Sequence, residues 1–149
     1  LTLPGAAFVY QGDEIGQPNG PGADPPYDRA GRDGLRHPLA WDTTPNGGFT
    51  TGTPWLAVLD PAKRNVESQR GDEASLLALY RRLLELRGRL GAGFRFLDVE
   101  PGVLAYERGD HVVAVNTTAE QRKAPEGVPL LKTHEGPELP PHAAQIVKK

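Results

Sequence analysis

The chain has 149 residues, with 17 basic against 19 acidic side chains, a formal charge of -2 and no blocks of one sign; that balance argues against nucleic acid or an anionic membrane surface as the main partner. It contains no cysteine, which excludes disulfides, thiolate metal sites and a cysteine nucleophile. The histidines His37, His111, His134 and His142 lack metal-ligand spacing, so no metal is expected, and the serines Ser68 and Ser75 lack the surroundings of a nucleophile elbow.

The chain opens at Leu1 inside an apolar run, without methionine or a leader, and reads as a piece of something longer. No apolar stretch approaches the length that spans a bilayer, and a cytoplasmic location is expected. After a turn at Pro4-Gly5, residues 6–11 (AAFVYQ) are small, aliphatic and aromatic on both faces. Such a pattern predicts a strand buried on both sides, as in a parallel sheet. The run stops at Gly12, and Asp13 and Glu14 stand just beyond it. In barrels built from parallel strands, the loops after the strands' C-terminal ends carry the chemistry. The two carboxylates therefore sit where substrate-facing groups would be, although an isolated pair more often opens a solvated turn.

From Gly12 to Gly71 the chain is thick with glycine and proline, including Asn19-Gly20-Pro21-Gly22 and Pro45-Asn46-Gly47-Gly48. Loops of this length are usually functional or disordered. Tyr27, Leu35, Leu39, Trp41, Phe49, Trp55, Leu56, Val58 and Leu59 are dense enough that packing is expected, and an ordered active-site loop is predicted. A helix follows at roughly 73–90, with Asp72 as its expected N-cap. Leu76, Leu79, Tyr80, Leu83, Leu86 and Leu90 recur at three- and four-residue spacing and form one apolar stripe, which Leu77 and Leu84 widen. Gly91 and Gly93 end it.

From Phe94 onward the pattern is of strands. Residues 103–106 and 112–115 flank Glu107-Arg108-Gly109-Asp110-His111, a tight hairpin signal, and residues 128–131 and 143–147 are further candidates. Arg108-Gly109-Asp110 spells an adhesion tripeptide and Asn116-Thr117-Thr118 a glycosylation acceptor; hairpin chemistry accounts for the first and chance for the second. The first strand and the helix each need apolar partners that this chain cannot supply, because it holds no second βα unit. Residues 1–92 are thus expected to be the end of a larger barrel, with a small antiparallel β domain over 93–149.

Residues 3–16 (LPGAAFVYQGDEIG) resemble the eighth-strand signature of the α-amylase superfamily, glycoside hydrolase family 13. Residues 31–42 (GRDGLRHPLAWD) are similar to the arginine-aspartate and arginine-x-proline-x-x-tryptophan motif of its α-glucosidase, oligo-1,6-glucosidase and trehalose synthase branch. Pro45 to Thr50, Pro54-Trp55 and Asn65 to Gln69 continue the likeness in order, while His37, Leu39 and Ala40 depart from the branch's threonine, methionine and glutamine.

The resemblance implies the last β/α unit of a TIM (β/α)8 barrel with a long loop, followed by a β-sandwich domain that is short or incomplete here. It implies no cofactor and an oligosaccharide substrate. The family's three carboxylates come from earlier strands, and none of their motifs occurs, so no catalytic residue is expected in this chain. Asp13 and Glu14 fail as a substitute pair, since adjacent strand-end residues point in different directions. By the resemblance, Arg36 lies at the floor of the sugar pocket and Glu14 narrows its rim, with Arg32 and Asp33 as loop braces. A retaining α-glucosidase-like activity on terminal α-glucosyl residues is the reading implied. A trehalose synthase or transglucosylase of the same family is the alternative. A non-catalytic carbohydrate-binding β module is the alternative of another class. Trp41, Phe49 and Trp55 are expected to anchor the loop rather than stack on sugar.

Overall fold

A computed structural model describes all of residues 1–149. They pack as two units: Ala7–Arg81, and Leu1–Ala6 together with Arg82–Lys149. No helix is long and apolar enough to cross a membrane.

The Ala7–Arg81 unit is built without strands. It holds 3₁₀ turns at Asp13–Ile15, Asp33–Leu35 and Pro45–Gly48, the short helix α1 (Val66–Arg70) and the start of α2 (Leu76–Arg87). The strand predicted over residues 6–11 does not form: the segment is irregular, and Phe8 is 92% exposed. A strand exists through ladder bonds to a neighbour, and this unit offers none.

The long loop is ordered, but chiefly by buried polar groups. Ile15, Leu39, Val66 and Leu77 make its apolar centre. Of the aromatic residues expected to anchor it, Tyr27, Trp41, Phe49 and Trp55 stay well exposed. Asp33, His37 and Asn65 are instead almost fully buried. Asn65 caps α1 by accepting from the Ser68 N–H at 2.7 Å, and its Nδ2 donates to Pro61 O at 2.8 Å. Gln69 ties three segments together, donating to Ile15 O, accepting from Leu77 N–H, and receiving the Ser75 hydroxyl at its carbonyl. Buried polar groups that are fully paired fix one arrangement of a chain, because every alternative leaves a desolvated donor or acceptor.

Helix α2 starts later than the apolar stripe suggests. Ser75, and not Asp72, is its cap: Ser75 Oγ accepts from Ala78 N–H at 3.1 Å, the N3 amide of the first turn. The Asp72 carboxylate closes a turn ahead of the helix, on Ala74 N–H at 2.9 Å.

The second unit centres on one antiparallel sheet of order β1-β2-β3-β5-β4, made of Phe94–Phe96, Val103–Arg108, His111–Asn116, Val128–Lys132 and Ala144–Lys148 as β1 to β5. The expected hairpin is β2–β3, with Arg108 opposite His111 and Gly109 at φ +60° in its turn. Alternation along the strands puts Ala105 and Ala114 on one face, where Leu139 and Ala143 complete a core. Tyr106, Val113 and Ile146 occupy consecutive cross-strand positions on the other face, and all are buried. Residues 1–6 join this unit through hydrogen bonds: Arg108 Nη1 donates to Thr2 O at 2.6 Å, the Thr2 and Tyr106 hydroxyls meet at 2.6 Å, and Arg87 donates to the carbonyls of Leu1, Leu3 and Gly5.

Burial also disposes of two motif readings. Arg108 is 7% exposed and bonded to Gly91 O and Thr2 O, so the adhesion tripeptide is not presented. Asn116 is 1% exposed, its amide donating to the carbonyls of Glu120, Leu139 and Pro140, which leaves no nitrogen for a glycan.

Candidate functional site

A cavity of about 330 Å³ opens in the Ala7–Arg81 unit between the Tyr10–Asp13 turn, the Gln17–Asn19 segment and the two arginines, Arg32 and Arg36, that flank the Asp33–Leu35 3₁₀ turn. That volume lies within the range of small-molecule sites. Its polar walls are Tyr10, Gln11, Asp13, Gln17, Asn19, Arg32 and Arg36.

The first wall is shaped by glycine. Gly12 sits at φ +98°, and a Cβ there would stand 2.8 Å from Gln17 Cβ. Gln17 N–H donates to Gly12 O at 2.9 Å, so the turn folds Gln17 directly onto Gly12. Only a residue without a side chain permits this approach. The two acids of the turn close it: Asp13 Oδ2 accepts from Tyr10 N–H at 3.0 Å, and Glu14 Oε2 from Gly12 N–H at 2.9 Å. Asp13 still faces the cavity, whereas Glu14 is not part of its wall. Burial, helped by the charges of Asp13 and Glu14, raises the pKa of the Tyr80 hydroxyl.

The opposite wall is organised by Asp28. Its carboxylate accepts from Arg32 Nε at 2.6 Å and Nη2 at 3.3 Å, and from the backbone N–H groups of Ala30 and Arg32. The bonded Arg32 guanidinium, followed by the Ala30 N–H, holds the Asp28 carboxyl far below the usual carboxylate range. Arg36 Nη1 reaches the same carboxylate only at 3.5 Å, too long for a good hydrogen bond. Arg36 is thus not gripped as Arg32 is, and it lines the cavity. Asp33 does not pair with Arg36: it is 1% exposed and accepts from the Tyr27 and Asp28 N–H groups at 2.7 and 3.1 Å.

Behind both walls stands His37, 3% exposed, with Nδ1 2.7 Å from Ala57 O and Nε2 3.0 Å from Pro21 O. Its own carbonyl accepts from Gln17 Nε2 at 3.0 Å. The histidine that departs from the family motif is therefore the fastener of the loop. Gly20 leaves room for its ring; a Cβ at Gly20 would lie 2.3 Å from His37 Nε2.

The structure brings Arg36 and Arg32 together at the cavity and leaves Glu14 in the turn. Sequence reasoning missed Asp28 and Gln17. The four-residue spacing of Asp28 and Arg32 was a signal for the first; nothing marked the second.

Residues 1–92 match the family model for the catalytic domain of alpha amylase. The chain is 38% identical over 98 residues to a probable alpha-glucosidase of Rhizobium meliloti (strain 1021), covering 58% of this chain and 18% of that protein. It is 36% identical over 135 residues to the trehalose synthase/amylase TreS of Mycobacterium tuberculosis (strain ATCC 25618 / H37Rv), covering 78% of this chain and 22% of that protein. Among solved structures it resembles the trehalulose synthase MutB from Pseudomonas mesoacidophila MX-45, with a TM-score of 0.80 at 28% identity over 99% of this chain and 36% of that one. The chain spans under a quarter of the length of these two curated relatives.

Proposed function

Because the chain belongs to the α-amylase family, glycoside hydrolase family 13, we propose that its cavity is part of the glucosyl pocket of a retaining α-glucosidase-like enzyme. That enzyme acts on terminal α-glucosyl residues of short oligosaccharides. The observation that carries this reading is Arg36, a guanidinium on the cavity wall whose one carboxylate neighbour is already bonded to Arg32. A planar fork of donors suits two hydroxyl oxygens of a pyranose, and binding the terminal ring favours action from the chain end.

Retaining hydrolysis needs two carboxylates about 5–5.5 Å apart across the scissile bond. Asp13 and Glu14 are each held by a different backbone amide of one turn, and Glu14 lies outside the wall. The bond-breaking acids are accordingly assigned to residues other than these 149, and this chain's part is to bind and orient. Glu14 acts as a turn brace that sets the position of Asp13 at the rim. The test is turnover of p-nitrophenyl α-glucoside. The 149-residue chain releases no nitrophenol, whereas an enzyme uniting it with the catalytic acids does, and Arg36→Lys in that enzyme raises KM. Turnover by the chain alone overthrows the assignment.

A trehalose synthase is the second reading, favoured by the longer reach of the TreS likeness, 78% of this chain against 58% for the α-glucosidase. Products from maltose separate the two: isomerisation gives trehalose and hydrolysis gives glucose.

A further inference from the structure

Tyr27 and Trp55 form an aromatic pair on the long loop, their ring centroids 5.2 Å apart and their planes tilted by 57°. Both stay open to solvent, Tyr27 at 65% and Trp55 at 46%. They line a second cavity of the Ala7–Arg81 unit, about 350 Å³, together with Pro21, Asp24 and Pro25. None of these residues lines the Arg36 cavity. His37 fastens the backbone around the second cavity, its ring nitrogens standing 3.0 Å from Pro21 O and 2.7 Å from Ala57 O. The loop is thus held here without the two rings, since an anchor would be buried and these are not. Tyrosine and tryptophan supply large, rigid contact area, and such rings left in water beside a concavity mark a binding surface.

We infer that Tyr27 and Trp55 form a second carbohydrate site, on which a neutral α-glucosyl oligosaccharide stacks its pyranose rings. The choice of sugar rests on the glucosyl-pocket reading; the site itself lies apart from the Arg36 cavity. The apolar C–H face of a pyranose suits an aromatic face, while the hydroxyls stay at the sugar's edge. The 57° tilt gives the pair two faces at different angles, so a chain of sugars meets both where a single ring meets one. Asp24, exposed at the same cavity, adds a carboxylate that accepts hydrogen bonds, and sugar hydroxyls can donate them. A proline-rich peptide is the competing occupant, because aromatic side chains also line grooves for such segments. The carboxylate favours the sugar, since a proline residue has no donor to give it.

The experiment is an NMR titration of the 149-residue chain with maltotriose, following the indole N–H signals of its two tryptophans. Trp41 is the internal control, because it is 48% exposed yet lines neither cavity. The Trp55 signal is expected to move saturably while the Trp41 signal stays, an answer that needs no variant to fold. Trp55→Ala should weaken maltotriose about tenfold, and Trp55→Phe, which keeps an aromatic face, should retain most of the affinity. Equal movement of both signals would mean unspecific stacking and overturn the inference, as would a Trp55 signal that maltotriose leaves unmoved. A Trp55 response to a polyproline peptide and none to maltotriose would overturn it in favour of a peptide groove. Arg36→Lys separates the two sites: the Trp55 response should persist in that variant, and its loss would assign the response to the Arg36 cavity. An Arg36 side-chain N–H signal that ignores maltotriose, with Trp55 still responding, refutes the glucosyl pocket and leaves the second site standing.

Discussion

Arg36 stands 3.5 Å from an Asp28 carboxylate that Arg32 already grips at 2.6 Å. Two guanidiniums share one acid, and the unequal distances assign different work to each. Arg32 is structural, bound at both carboxylate oxygens, while Arg36 is braced but unsaturated. Replacing Arg36 by Lys keeps the charge and discards the fork. Each charge-assisted bond contributes roughly 1.5–3 kcal/mol, so affinity for methyl α-glucoside is expected to fall by about 10- to 100-fold. Calorimetry reads the change, and unaltered affinity would remove Arg36 from the pocket.

The Asp28 ion pair has a pH signature. Its folded carboxyl stays ionised far below the ordinary range because Arg32 bonds it. The unfolded chain takes up that proton near pH 4, so the stabilisation is complete above that value and declines as pH falls toward the folded one. Wild type should melt higher than Asp28→Asn at pH 6, and the gap in Tm should narrow below about pH 4. A gap of constant size down to pH 3 would mean that neither Arg32 nor the backbone N–H groups favour the charged form of Asp28 in the folded chain.

Gly20→Ala tests the histidine fastener. The added methyl would sit 2.3 Å from His37 Nε2, and the ring can yield only by leaving Pro21 O. Overpacking of this kind typically costs about 1–3 kcal/mol. Denaturant unfolding at neutral pH measures it, and a change under a few tenths of a kcal/mol would show the ring to be free to move.

The start of α2 separates two candidate caps. Ser75→Ala should destabilise the chain by about 1 kcal/mol, the usual worth of an N-cap. Asp72→Ala, which removes a bond ahead of the helix, should cost less. Unfolding curves for the two variants decide the order, and the reverse order restores Asp72 as the cap.

What could be read from the sequence follows from which interactions leave a local pattern. The β2–β3 hairpin was legible because alternation and a Gly-Asp turn are local signals, and α2 because its leucines recur with the helical period. Its first turn was misplaced because Asp72 and Ser75 both satisfy cap chemistry, and the choice depends on Gln69, whose carbonyl receives Ser75 Oγ. Residues 6–11 carry a strand's composition, yet a strand also needs a neighbour, which composition does not encode. The order of the 12–71 loop was foreseen for an incomplete reason. Trp41, Phe49 and Trp55 remain about half exposed, while Asp33, His37 and Asn65 hold the loop from inside. Arg36 was reached through the family motif. Gln17 was invisible, because what distinguishes it is its bond to His37 O from a positive-φ glycine turn, and no spacing of residue types announces that.

Diffraction from crystals of the 149-residue chain soaked in maltose tests the central claim most directly. A glucosyl ring is expected in the cavity beside Arg36, with the guanidinium donating to its hydroxyls. Sugar bound instead on the exposed Phe94 and Phe96 rings of β1, with the Arg36 cavity holding none at saturating maltose, would contradict it.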